Sequence, residues 1–233
     1  MVEILGVIPA RQGSVRVPRK NLKLLLGKPL IYYTIDVAKE AKCLSRLYVN
    51  TDGDEIAAYA KSMCTSVYRR PIELGADVDT SLVLKEMVET LQKNEDYVPD
   101  WVVCLQPTSP MRLTEDIDLC VEKAVETNAD TVLTVRLCKD HPYWCFDMAK
   151  DGVLRNAFNF DMCGSMLVSQ NLPPMVYPTG SVYVTRIDWI KAGRMFGQNI
   201  HGVITPMDRS VDLETERDFN SAEILMFKKG WPW

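Results

Sequence analysis

Segments with the composition of buried strands alternate with segments of helical period along most of this 233-residue chain. Strands are predicted at residues 4–8, 47–49, 67–68, 101–105, 131–135, 180–185 and 202–205. Helices are predicted from residue 30 to about 41, from the fifties to about 63, around 84–91, at 115–127, shortly after 185 and up to about 228. This alternation favours an α/β fold with a mostly parallel central sheet flanked by helices.

The alternation stops between residues 138 and 175, where prolines and glycines interrupt an irregular sequence. We interpret this stretch as a segment inserted into a single domain that spans residues 1–233. Its aromatic residues Tyr143, Trp144, Phe146 and Phe158 would suit an interface between subunits. Packing within one subunit is the alternative.

A basic loop, residues 9–21, follows the first predicted strand. Residues 4–35 contain six Lys or Arg and no Asp or Glu, although the net charge of the chain is −4. At the carboxyl edge of a parallel sheet such a loop can bind an anion, and Gly13 and Ser14 leave backbone N–H groups open to phosphate oxygens. The loop matches neither the P-loop nor the dinucleotide fingerprint. The alternative is a solvated basic turn, in which the cations would repel one another.

Composition excludes several classes of function. A sequence pI near 5.3 disfavours nucleic acid as a partner, because backbone binding needs an extended basic face and here the positive charge is concentrated in one loop. No apolar run approaches the roughly 20 residues that span a membrane. Seven cysteines without a C-x-x-C pair argue against a disulfide framework and a structural zinc site. We therefore expect a cytoplasmic protein that binds a small anion.

The basic loop also carries a recognisable motif. The motif I-P-A-R-x-G-S-x-x-x-P-x-K-N is matched by residues 8–11, Gly13, Ser14, Pro18, Lys20 and Asn21. The chain therefore resembles the CMP-acylneuraminate synthetases, cytidylyltransferases that activate sialic acids and related nine-carbon 2-keto acids. The resemblance implies a Rossmann-like fold of the nucleotide-diphospho-sugar transferase type. It also implies that the nucleotide is bound by loop residues, which are Ala10, Arg11, Gly13, Ser14, Lys20 and Asn21.

Later segments match the same family in the same order. Residues 70–81 resemble R-P-x-E-L-A-x-D-x-x-x-S, which implies that Arg70 and Ser81 seat the cytidine and its phosphates and that backbone groups near Asp79 read the base. A helix N-cap is the alternative role for Ser81. Residues 105–112 resemble L-Q-P-T-S-P-x-R and residues 179–184 resemble N-G-A-I-Y-I, which implies that Gln106 and Tyr183 bind the sugar acid.

Two carboxylates precede the last helix. Residues 211–218 are similar to I-D-I-D-T-x-x-D, with Glu214 where the family usually has Asp. On an extended strand, Asp212 and Glu214 would point to one side, as a shared Mg²⁺ site requires. The alternative is a purely structural segment, because Thr215-x-x-Asp218 resembles a helix start. Asp52 is likewise predicted to cap the second helix, with direct contact to a ligand as the alternative.

The resemblance predicts transfer of CMP from CTP to a nine-carbon 2-keto sugar acid, with Arg11, Lys20, Asp212 and Mg²⁺ as the catalytic groups. It implies a homodimer in which residues 138–175 help to close the partner's site. Val15, Trp144 and Ser169 replace basic residues that many members carry at anion-binding positions. The alternatives are a sugar nucleotidyltransferase that uses UTP or GTP and a non-catalytic nucleotide or sugar-acid binding protein. The sequence leaves sialic, legionaminic and pseudaminic acids open as acceptors.

Overall fold

The computed structural model describes residues 2–14, 16–75, 78–158 and 168–231. Its strands are β1 (Ile4–Pro9), β2 (Leu24–Leu25), β3 (Lys28–Pro29), β4 (Arg46–Thr51), β5 (Ser66–Arg69), β6 (Trp101–Cys104), β7 (Thr131–Leu137), β8 (Phe146–Met148), β9 (Leu154–Asn156), β10 (Val176–Arg186) and β11 (Ile200–Ile204). Its α-helices are α1 (Leu30–Glu40), α2 (Asp54–Ser62), α3 (Thr80–Glu95), α4 (Thr114–Thr127), α5 (Ile187–Lys191) and α6 (Glu216–Lys228).

Seven strands form the main sheet in the order β11-β7-β10-β6-β1-β4-β5. Strand β10 is antiparallel to both of its neighbours, and all other pairs are parallel. The chain runs from β1 to β4 and β5 on one side and then to β6 on the other side of β1. The predicted fold class is confirmed, and the reversal between β1 and β6 creates the crevice in which open α/β sheets bind ligands.

The continuous apolar character of β1 follows from burial on both faces. Ile4 and Ile8 belong to a core cluster with α1, α2 and α4, whereas Leu5 and Val7 belong to a cluster with α3 and α5. A third cluster packs α6 over the segment around Leu213. The helices thus cover both faces of the sheet, as a central parallel strand requires.

The described residues between 138 and 175 contribute no strand to the main sheet and no α-helix, and the interpretation of this stretch as an insertion stays a prediction. Strands β8 and β9 form a separate hairpin that pairs with no described strand of the main sheet. Phe146 and Phe158 are exposed there. Residues 159–167 lie outside the described part of the chain. The role of this segment in a dimer remains a prediction.

None of the helices in the described part of the chain has the length and apolar composition of a membrane span.

The predicted cap at Asp52 is wrong. Gly53 is the N-cap residue of α2, and no side chain in the described part of the chain caps that helix. The Asp52 carboxylate instead accepts a hydrogen bond of 2.8 Å from the backbone N–H of Gln12 in the basic loop. Asp52 lies one residue before the N-cap, and its carboxylate holds the basic loop instead of the first turn of α2.

Arg112, in the segment after β6, is fully buried and connects three parts of the fold. Its guanidinium donates to the carbonyl of Ser181 at 2.8 Å, to the hydroxyl of Thr34 at 3.0 Å and to the carbonyl of Gln106 at 2.6 Å. Burial lowers the pKa of Arg112 to about 10. Its three hydrogen bonds fix the position of Gln106 relative to α1 and β10.

We expect Arg112→Met to lower the free energy of unfolding by at least about 2 kcal/mol, because two buried carbonyl groups would lose their donor at about 1–3 kcal/mol each. Chemical denaturation of the variant measures this loss. Arg217→Met, at an exposed position on α6, is the matched control and should change stability by less than about 0.5 kcal/mol. Equal stabilities for the two variants would contradict the assigned role.

Candidate active site

A cleft of about 280 Å³ lies over the ends of β1 and β6. Its walls come from the basic loop, the segment after β5, the start of α3 and the segment after β6. The last wall is the segment before α6 that contains Asp212 and Glu214, which we call the acidic segment. The predicted residues that line it are Arg11, Ser14, Lys20, Asn21, Arg70, Gln106, Asp212 and Glu214. Lining residues without a predicted role are Pro9, Val78, Thr80, Val83, Pro107 and Thr108. Residues far apart in sequence thus meet at the topological switch point.

The basic loop is held in place by specific hydrogen bonds. Asp52 binds the N–H of Gln12, and the side-chain amide of Asn21 donates to the carbonyl of Arg11 at 2.9 Å. Asn21 is itself buried. These contacts fix the loop and disfavour the solvated-turn alternative. Asn21 therefore shapes the loop, in addition to lining the cleft.

Two other predicted loop residues lie differently. Ala10 is fully buried, does not line the cleft, and donates its N–H to the carbonyl of Asn50 at 2.9 Å. Gly13 is exposed, and a Cβ placed there would meet nothing within 4 Å. The backbone at Gly13 is therefore open to a ligand, whereas Ala10 contributes to the base of the loop.

Lys20 connects the basic loop to the acidic segment. Its Nζ donates to the carbonyl of Leu213 at 2.9 Å. Burial lowers the pKa of Lys20, and the nearby carboxylates of Asp212 and Glu214 oppose that shift. A partly desolvated ammonium group interacts strongly with added negative charge, because little water screens it.

Asp212 and Glu214 line the same cleft, as their spacing predicts. The segment is irregular and does not belong to the sheet. It is fixed by Leu213, whose side chain is fully buried and whose N–H donates to the carbonyl of Thr108 at 2.8 Å. With Leu213 in the core, its two neighbours face the opposite side. Thr215 and Asp218 form the predicted capping box of α6.

The two carboxylates have different surroundings. Asp212 is accessible in the open cleft, but desolvation by the surrounding protein raises its pKa, and a hydrogen bond from Thr108 opposes that rise. Glu214 is exposed and forms an ion pair with Arg16, one of the six cations of residues 4–35. Asp212 is thus the carboxylate left available to a ligand. Among the described residues, no three His, Cys, Asp or Glu side chains cluster closely enough to hold a metal alone.

Arg70 lies buried in the wall of the cleft in a fixed orientation. Its Nε donates to the side-chain oxygen of Asn50 at 2.7 Å, and its Nη2 donates to the carbonyl of Asn50 at 3.2 Å. Burial lowers the pKa of Arg70. An arginine held in this way can present its remaining donors to an anion without losing side-chain entropy on binding.

Asp79, Ser81 and Tyr183 line an adjoining cleft of about 430 Å³, and Gln106 lines both clefts. Asp79 is the N-cap of α3 and accepts a hydrogen bond of 2.8 Å from the N–H of Ser81. The alternative of Ser81 as the N-cap is therefore wrong. The Ser81 hydroxyl is buried and donates to the carbonyl of Gly193 at 2.8 Å, so it is already engaged.

The sequence is similar to those of known transferases. A family model described as cytidylyltransferase matches residues 5–160. The chain is 33% identical over 230 residues to the CMP-N,N'-diacetyllegionaminic acid synthase of Legionella pneumophila, covering 97% of each. It is 27% identical over 224 residues to the pseudaminic acid cytidylyltransferase of Campylobacter jejuni, covering 95% of each. The N-acylneuraminate cytidylyltransferase of Streptococcus agalactiae is 28% identical over 219 residues, and this chain covers 51% of its length.

Solved structures share the fold over nearly the full chain. A CMP:2-keto-3-deoxy-manno-octonic acid synthetase complexed with CTP has a TM-score of 0.70 at 16% identity, covering 97% of this chain and 99% of its own. The 4-diphosphocytidyl-2C-methyl-D-erythritol synthase of Anaerococcus prevotii has a TM-score of 0.66 at 13% identity, with the same coverage. These structures establish the fold. Because the family model covers more than half of the chain and a full-length relative is 33% identical, the chain belongs to the cytidylyltransferase family.

Proposed function

We propose that this cytidylyltransferase transfers CMP from CTP to the anomeric hydroxyl of a nine-carbon 2-keto sugar acid and releases pyrophosphate. One observation carries the proposal: a cleft at the switch point brings the cations of the basic loop together with the accessible carboxylate of Asp212. Cations can bind the triphosphate, and a carboxylate can bind the metal that accompanies it. The names of the relatives, which refer to legionaminic, pseudaminic and acylneuraminic acids, support this class of acceptor.

The reaction requires positioning and charge neutralisation. The anomeric oxygen attacks the α-phosphorus, and the bond from that phosphorus to the oxygen bridging to the β-phosphorus breaks. Pyrophosphate leaves with the electron pair, and the proton of the hydroxyl is released to solvent. Arg11, Ser14 and Lys20 line the cleft where they can contact the triphosphate, and Lys20 can stabilise the charge that develops on the leaving group. No side-chain nucleophile is needed for this displacement.

Mg²⁺ is part of the proposal. Asp212 would be its protein ligand, and Glu214, which is paired with Arg16, would reach it less directly. The absence of a three-residue ligand cluster among the described residues fits Mg²⁺, which proteins commonly hold with one or two carboxylates plus substrate phosphates. When bound, the metal neutralises phosphate charge and favours ionisation of the attacking hydroxyl.

The proposal includes the location of the enzyme in the cell and its oligomeric state. The enzyme would be cytoplasmic, because CTP is supplied there. It would act as a homodimer through residues 138–175, and the exposed apolar side chains of the β8–β9 hairpin, including Phe146, Met148 and Leu154, support this role. Sedimentation of the purified protein would report the dimer directly.

We expect turnover with CTP and Mg²⁺ and at least one acid from a panel of sialic, legionaminic and pseudaminic acids. Pyrophosphate release measures it, with UTP, GTP and ATP as competing nucleotides and excess EDTA as the metal-free control. Equal turnover with UTP or GTP would favour a different sugar nucleotidyltransferase. CTP binding without turnover of any acid would favour a non-catalytic binding protein, and undiminished turnover in EDTA would remove Mg²⁺ from the proposal.

A further inference from the structure

A second cleft of about 280 Å³ opens beside the candidate active site. Gln106 and Asp212 line both clefts, so a molecule bound in the second cleft can reach the first. Its remaining walls come from the end of β7, the first half of β10 and the segment before Asp212. Among the side chains that line the second cleft, Arg136 is the one cation and Asp212 the one carboxylate.

Arg136 is held in position by the neighbouring strand. It faces Tyr177 across the β7–β10 pair, and its guanidinium carbon lies 5.1 Å from the centroid of the Tyr177 ring. Stacking on an aromatic face orients a guanidinium group while its N–H donors remain directed outward. The sheet register therefore presents this cation to the cleft.

Arg136 has no carboxylate partner within ion-pair distance in the described part of the chain. Its hydrogen bond, to the carbonyl of Leu137, is long at 3.4 Å. Two other arginines are paired: Arg186, at the end of β10, lies 2.8 Å from Asp130, and Arg209, in the turn after β11, lies 2.7 Å from Asp116. Arg136 thus has donor capacity for a ligand.

The proposed acceptor needs a cation close to the α-phosphate but outside the triphosphate site. A 2-keto sugar acid carries its carboxylate on the anomeric carbon, next to the attacking hydroxyl, so the carboxylate must lie close to the α-phosphate. The cations that line the first cleft, Arg11, Lys20 and Arg70, are all assigned by the proposed function to the nucleotide and its phosphates. A second anion in that cleft would be repelled by the phosphates. The second cleft offers a cation beside Gln106 and Asp212 and outside the phosphate site.

We propose that Arg136 binds the carboxylate of the acceptor acid and that Tyr177 holds the guanidinium group in place. This inference rests on the proposed function and adds a residue that determines which acceptors are used. The planar guanidinium can form two parallel hydrogen bonds to a carboxylate. A sugar that lacks the carboxylate would therefore be a poor acceptor.

Initial rates of pyrophosphate release, with the acid and CTP varied separately, test the inference on the intact enzyme. We expect Arg136→Gln to raise the KM for the acid on the order of 10- to 100-fold, as for loss of one charged hydrogen-bonding contact, and to leave the KM for CTP unchanged. Arg136→Lys, which keeps the charge and loses the two-pronged geometry, should give an intermediate KM. Arg217→Gln, at the exposed position on α6, is the control and should change neither constant.

A second measurement does not depend on the variants. The methyl ester of the acid, which has no carboxylate charge, should be used by the wild-type enzyme with a similarly raised KM. For the ester, Arg136→Gln should cause no further rise. Turnover of the acid by the wild-type enzyme together with an unchanged acid KM in Arg136→Gln, or an ester used as well as the acid, would overturn this inference and leave the proposed function intact. A wild-type enzyme that uses no acid would overturn both.

Discussion

Asp212→Asn is expected to abolish nearly all pyrophosphate release at every Mg²⁺ concentration. The substitution keeps the size of the side chain and removes its charge, so it removes the carboxylate that is accessible in the cleft and shared with the second cleft. In the proposed mechanism Asp212 would hold the Mg²⁺ that neutralises phosphate charge, and loss of such charge stabilisation lowers kcat by on the order of a hundredfold or more. Titration of Mg²⁺ against the initial rate measures the effect.

Glu214→Gln is the matched comparison. Glu214 is exposed and paired with Arg16, and its extra methylene changes the reach of its carboxylate relative to Asp. We therefore expect this variant to need more Mg²⁺ and to keep an appreciable kcat. An active Asp212→Asn enzyme with unchanged Mg²⁺ dependence would reduce the whole segment to the cap of α6.

Unfolding measurements separate a catalytic role of Asp212 from a structural one. The pKa of Asp212 is raised in the folded protein, mainly by desolvation, so the ionised form is favoured more in the unfolded chain. As the pH rises through the ordinary range of an aspartate pKa, ionisation of Asp212 therefore lowers stability. Asp212→Asn should unfold without Mg²⁺ at the same temperature as the wild-type protein or at a higher one.

Lys20→Ala is expected to lower kcat by about 100- to 1,000-fold, which corresponds to about 2.7–4 kcal/mol of lost transition-state stabilisation. The ammonium group is partly desolvated and lies in the cleft between the basic loop and the acidic segment. The variant also loses the hydrogen bond to the carbonyl of Leu213, which should cost about 1 kcal/mol of stability. Steady-state rates and a denaturation curve measure the two effects separately.

Arg19→Ala is the matched control for Lys20→Ala. Arg19 is the preceding residue of the same loop, but it is exposed, forms an ion pair with Glu55 and does not line the cleft. We expect it to keep most of the activity. If Lys20→Ala instead kept a normal kcat/KM and a normal denaturation curve, its assigned role would be wrong and the basic loop would be a solvated turn.

Local patterns in the sequence determined the secondary structure and the order of the motifs. β1, α3 and the capping box of α6 form where predicted, because apolar periodicity and capping depend on residues within a few positions of one another. The concentration of cations without carboxylates is also a local pattern, and the binding of an anion by this loop stays a prediction. The motif match predicted the family, which the comparisons confirm.

Tertiary structure alone decided which side chains meet. Glu214 pairs with Arg16, which is separated from it in sequence by most of the chain. Asp52 accepts a hydrogen bond from Gln12 in the basic loop and does not cap α2. The fold places Arg136 and Asp212 in the lining of one cleft, which no local pattern indicated. The order of the strands depends on how all the helices and strands pack together into layers, and that is a property of the whole chain. Partners set by such packing cannot be read from neighbouring residues.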